Sequence, residues 1–68
     1  MNITVYIEQQ NKNLKMPLDK NATISSLLQK IKVNPIEVVV AQNGEIVTED
    51  AVISDGDDIK IFSVVSGG

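Results

Sequence analysis

The chain contains no cysteine, no histidine and no arginine, and its aromatic side chains are Tyr6 and Phe62 alone. Each gap removes a class of function. Without cysteine there are no disulfides, and without cysteine or histidine the usual ligands of zinc, haem and iron–sulfur centres are missing. Thiol nucleophiles and hydroxyl nucleophiles served by an imidazole base go with them. A net charge of −3, from six lysines and nine carboxylates, combines with the lack of arginine forks and stacking aromatics to argue against nucleic acid as a partner. No apolar run approaches the length of a membrane span, and the opening MNITVYIEQQ has neither a basic start nor a long apolar core. Neither a signal peptide nor a membrane partner is expected, and the cytoplasm is the expected compartment.

What remains must fold by apolar packing. With 68 residues there is room for one domain, and a domain of this size buries only about 60% of the surface its unfolded chain exposes. A deep active-site cleft between lobes is not expected at this size. The acids crowd into the second half at Glu45, Glu49, Asp50, Asp55, Asp57 and Asp58. Their plain reading is solubility, and the sharper one is a face that meets a basic partner.

The hydropathy pattern changes period along the chain. ITVYIE alternates Ile3, Val5 and Ile7 with Thr4, Tyr6 and Glu8, the period of a half-buried strand. QQNKN supplies a polar turn, and LKMPL resumes with Leu14, Met16 and Leu18 inward. Pro17 has no N–H for a sheet ladder, so this second strand of the hairpin is expected at an edge. NATISSLLQKIKVNP then shifts to helical spacing: Thr23 caps the first turn, Ile24, Leu27, Leu28 and Ile31 form one stripe, and Asn34 before Pro35 predicts a stop near Lys32 or Val33. IEVVVAQ reads as a third strand, Asn43-Gly44 as a tight turn, EIV as a brief fourth strand, TEDAVISDGDD as a further turn, and IKIFSVV as the last strand.

Hairpin, helix, strand, short strand, strand is the order of an α+β, β-grasp (ubiquitin-like) fold. One helix lies across a mixed sheet of four to five strands, with the last strand parallel to the first. The expected organisation is a single domain over residues 1–64 and a flexible tail over residues 65–68 that ends in Gly67 and Gly68.

The helix entry ATISSLL, the run VVVAQNGEIV, the turn SDGDDIKIF and the ending VVSGG together resemble the ubiquitin-like sulfur carriers of thiamine and molybdopterin synthesis, a group with archaeal small-modifier relatives. The resemblance covers nearly the whole chain. Its length is closer to the thiamine-type branch, and it departs from some relatives in having Ser63 and Val64 where they carry prolines. It implies that the Gly68 carboxylate is adenylated by a ubiquitin-activating-like adenylyltransferase, converted to a thiocarboxylate, and presented to a sulfur-accepting synthase. The receiving pathway would be thiamine or molybdopterin biosynthesis or transfer-RNA thiolation. The chain itself binds no cofactor in this reading, and ATP is used by the activating partner.

The residues independently favour a substrate over an enzyme. Ser66 has no base nearby and reads as a small spacer, while Asp55, Asp57 and Asp58 lack the long ligand loop of calcium sites and read as a turn with no metal. A carboxylate joined to AMP hydrolyses in water, so an activating enzyme must enclose it in a narrow dry channel. Only a slim chain end such as Ser66, Gly67 and Gly68 enters one. Phe62 and Val64 are expected to point away from the helix, beside Lys60 and with Tyr6 on the neighbouring strand, as the surface a partner reads. A bulge turning Phe62 inward is the alternative. A monomer with a free tail is expected. The other functional readings are a ubiquitin-like modifier joined to lysines of other proteins, and a non-covalent β-grasp binding module.

Overall fold

In the computed structural model, which describes residues 1–64, alternation in the opening residues does build a strand. The elements are β1 (Asn2–Ile7), β2 (Lys12–Pro17), α1 (Ile24–Lys30), β3 (Val38–Gln42), β4 (Glu45–Val47) and β5 (Asp58–Ser63). They form one five-stranded sheet in the order β2-β1-β5-β3-β4. The parallel pair β1–β5, in register Thr4↔Asp58 through Ile7↔Ile61, occupies the centre, and every other pairing is antiparallel. This is the ubiquitin-like β-grasp arrangement.

One face of the sheet is covered and the other is open. Ile3, Val5 and Ile7 from β1, Val40 from β3, and Ile59 and Ile61 from β5 are buried against Ile24, Leu27 and Leu28 of α1. Each fully buried aliphatic side chain of this size stabilises the fold by about 1.5–3 kcal/mol relative to leaving it exposed. Exposed ion pairs contribute about 1 kcal/mol at most, so this packing decides stability. The core cluster contains no aromatic residue: Tyr6 and Phe62 both lie outside it.

Local chemistry sets the boundaries. Thr23 caps α1 by accepting from the Ser26 amide at 3.2 Å, while the Ser26 hydroxyl accepts from the Thr23 amide at 2.9 Å, so a serine completes the reciprocal box. At the other end the Lys32 amide donates to the Gln29 carbonyl and the Val33 amide to the Leu28 carbonyl, with Lys32 at φ +60°. This is a Schellman closure with lysine where glycine is the usual residue. Pro17 ends an edge strand, as its missing N–H requires. Asn43 and Gly44 both have positive φ, +52° and +86°, the signature of the two-residue hairpin turn whose twist matches its strands.

Two expectations are corrected. The third strand, expected from Ile36, begins at Val38. Pro35–Glu37 instead forms a 3-10 turn that Asn34 caps by accepting from the Ile36 amide at 3.1 Å. The stretch TEDAVISDGDD is more than a turn. Val52 bridges to Thr23, the Ile53 amide donates to the Ala22 carbonyl at 2.8 Å, and Ile53 is buried in the core. The expected tail, with Ser66, Gly67 and Gly68, lies outside the described residues.

Candidate functional site: the open sheet face and the end of β5

β5 runs through the middle of the sheet, so its alternate residues are presented on both faces. Ile59 and Ile61 go to the core, Lys60 is exposed, and Phe62 is half-buried. Register places Lys60 between Tyr6 of β1 and Ala41 of β3, with Ile46 of β4 beyond Ala41 and Asn13 of β2 beyond Tyr6. One residue from each strand therefore forms a row across the open face. Phe62 pairs with Val39 in the next row towards the carboxyl end of β5, and Val64 follows with 55% of its surface exposed. The alternation continues through Phe62 without a bulge, and Phe62 stays out of the core as expected.

The face has two halves. On the β3–β4 side, Phe62, Val39, Ala41 and Ile46 make an apolar strip, with Ile46 68% exposed. On the β1–β2 side, Thr4, Tyr6, Asn13, Lys60 and Asp58 line a shallow polar groove. Tyr6 is half-buried, and its hydroxyl donates to Asn11 Oδ1 at 3.0 Å, which holds the ring on the surface. Lys60 thus sits exposed at the boundary between the two halves. Ile46 and Val39 were not singled out from the sequence. The signal for Ile46 was in EIV, where alternation on a strand that short puts the middle residue on the face opposite its neighbours.

At the end of β5 the Val64 amide donates to the Glu37 carbonyl at 3.0 Å. A groove lined by Gln9, Gln10, Lys32, Val33, Asn34, Glu37, Val38 and Ser63 opens beside it. Its lining is drawn from the turn after β1, the loop after α1, the Pro35–Glu37 turn, β3 and β5.

The three aspartates of the SDGDD turn point to different tasks. Asp55 accepts from the Asn2 amide at 2.8 Å and Asp58 is exposed. Asp57, only 8% exposed, accepts from the Ser54 amide at 2.8 Å, from Asn43 Nδ2 at 2.9 Å and from Gln42 Nε2. Burial pushes the Asp57 carboxyl up, but the bonds from Ser54, Asn43 and Gln42 together outweigh it and hold the group below the usual carboxylate range. Among the described residues, no three histidine, cysteine, aspartate or glutamate side chains gather where they could hold a metal ion. None of the described helices is long and apolar enough to cross a membrane.

A helix gripped by a mixed sheet, an apolar strip on the open face, and a central strand that carries it define a small ubiquitin-like protein. The ThiS family matches residues 3–68, and the chain belongs to that family. Solved structures agree in fold. A thiamine biosynthesis protein (ThiS) from Geobacter metallireducens is 26% identical, with TM-score 0.72 and 100% of both chains covered. SAMP1 from Haloferax volcanii is 18% identical, with TM-score 0.77 and again 100% of both chains covered. A candidate molybdopterin converting factor, subunit 1, from Pyrococcus furiosus is 21% identical, with TM-score 0.78, covering 94% of this chain and 98% of its own. Comparison with curated protein sequences gives no significant match.

Proposed function

We propose that the chain is a sulfur carrier whose Gly68 carboxylate is the reacting group. A carboxylate oxygen attacks the α-phosphorus of ATP on an activating adenylyltransferase and pyrophosphate leaves. Hydrosulfide then attacks the acyl carbon, AMP leaves and the sulfur gives up its proton, and the resulting thiocarboxylate passes its sulfur to an accepting synthase. The observation that carries this reading is the family match, which runs through residue 68 and so takes in the Gly67-Gly68 pair. The chain supplies no catalytic group. It supplies a slim reactive end with no Cβ to obstruct a channel, and a rigid body for the partner to hold.

In the same reading Phe62, Val64, Lys60 and Tyr6 are the partner-binding residues, with Ser66, Gly67 and Gly68 entering the partner's active site. Half-buried aromatic and apolar side chains on an otherwise polar surface favour this, since removing them from water on docking is favourable. The protein is proposed to act as a cytoplasmic monomer with no bound cofactor.

Intact-mass spectrometry after incubation with the activating enzyme, ATP and a sulfur source tests the chemistry. The expected result is the mass gain of one oxygen replaced by one sulfur. No gain with an enzyme active on another carrier refutes it. Attachment of Gly68 to lysines of other proteins begins with the same adenylation, and would be read instead as conjugates that survive denaturation.

A further inference from the structure

The chain has six asparagines, and only Asn43 is followed by glycine. In that dipeptide the amide nitrogen of the glycine has no neighbouring side chain to hinder it, and it can attack the asparagine side-chain carbon. The bond from Gly44 N to Asn43 Cγ forms, the Cγ–Nδ2 bond breaks, and ammonia leaves with the proton from Gly44 N. Water then opens the five-membered imide at either carbonyl, giving aspartate or isoaspartate. One water enters and one ammonia departs, and no other reactant is needed.

The fold holds each group that must move. Asn43 Oδ1 accepts from the Asp58 amide at 2.9 Å, and Asn43 Nδ2 donates to Asp57 Oδ1 at 2.9 Å. This orientation is the one the surroundings allow, because turning the amide over would set its NH₂ against an N–H and its oxygen against a carboxylate. The Asn43 amide in turn donates to the Asp58 carbonyl at 2.8 Å. Asp57 cannot swing away easily, since Ser54 and Gln42 hold it from other sides. With the side-chain carbonyl and amide both engaged, Cγ is kept from rotating onto Gly44 N.

We propose that Asn43-Gly44 is a site of spontaneous imide formation, latched shut by Asp57 in the folded chain, whose product opens the latch irreversibly. In the aspartate product, a carboxylate replaces the NH₂ that faced Asp57, so a donor becomes an acceptor and two like charges meet at a buried group. In the isoaspartate product, the backbone gains an atom within a two-residue turn whose length fixes the register of β3 against β4. Either product loosens the start of β5, at the opposite end of that strand from Val64. The inference does not depend on the sulfur-carrier reading.

The test follows the full-length chain at mildly alkaline pH by peptide mass mapping with isoaspartate detection. The native protein is expected to convert at Asn43 about tenfold or more slowly than the guanidinium-unfolded chain. Asp57→Ala, checked as folded by circular dichroism, is expected to fall between them. The Asn43→Asp variant, which imitates one product, is expected to melt below the parent. Equal conversion rates in native and unfolded chains overturn the latch, and an Asn43→Asp variant as stable as the parent overturns its opening. Where Asp57→Ala does not fold, the native-to-unfolded ratio and the Asn43→Asp melt decide the matter between them.

Discussion

The Val64 amide is bonded to the Glu37 carbonyl at 3.0 Å, so β5 remains tied to the loop before β3 one residue beyond the end of the strand. Among the described residues the buried core ends at Ile61, before this rung. Deleting Gly68 is therefore expected to leave the melting temperature unchanged while abolishing thiocarboxylate formation. Extending the chain past Gly68 should do the same, because the reacting carboxylate is no longer terminal. Thermal melts paired with intact-mass spectrometry check both. Unfolding of the deletion variant, or sulfur gain by the extended one, would contradict the proposed role.

Phe62 and Ile61 are neighbours on opposite faces, and their substitution should separate recognition from stability. Ile61→Ala empties a fully packed position and is expected to cost about 2–5 kcal/mol. Phe62→Ala removes a half-buried side chain from the open face and should cost less, about 1–2 kcal/mol by area removed. Its larger effect is expected on affinity for the activating partner. Urea titrations and a binding isotherm measure the two; a Phe62→Ala protein with full affinity would remove this residue from the interface.

Lys32 offers a stabilising change. A residue with a side chain at φ +60° crowds its Cβ against the following carbonyl at a cost of about 1–2 kcal/mol, which glycine avoids. Glycine also loosens the unfolded chain, by about 0.4–1 kcal/mol. Lys32→Gly should thus raise stability by about 0.5–1 kcal/mol, seen as a higher urea midpoint with unchanged slope. A lower midpoint would mean that the lysine stem makes compensating contacts.

Asp57 gives the fold an acid limit. Its carboxyl sits below the ordinary carboxylate range when folded, so the stability it contributes is complete above the unfolded value of about 3.9. That contribution is lost as pH falls through the lower, folded value. Asp57→Asn is expected to be weaker than the parent at neutral pH, because one end of its amide presents donors to donors. It should lose less of its remaining stability on acidification. Urea midpoints at neutral pH and below pH 4 decide it; equal acid losses would show that other carboxylates set the limit.

Much of the fold was legible because its signals are local. The alternation of Ile3, Val5 and Ile7, the edge placement forced by Pro17, the Thr23 cap and the Asn43-Gly44 turn each follow from a few adjacent residues. What was missed depends on partners far along the chain. Ile53 is buried because Ala22 receives its amide across more than thirty residues, and no short-range pattern in TEDAVISDGDD announces that. Asp57 looked like an ordinary turn residue because its partners Gln42 and Asn43 arrive from another strand and turn. At the candidate site, the outward parity of Phe62 was readable from Ile59 and Ile61. The apolar strip it joins was not, since Val39 and Ile46 meet it only through sheet order.

The parallel contact of β1 with β5 joins the first strand of the fold to the strand made after the other four. A nascent chain stalled before Asp58 lacks the strand on which both halves of the sheet depend, and can bury neither Val5 nor Val40 properly. Long-range parallel pairing of this kind is slow to form, because the entropy of closing the loop is lost before the contact is gained. A chain without β5 therefore has no assembled open face, and anything that reads that face engages only molecules in which β1 and β3 are already joined through it.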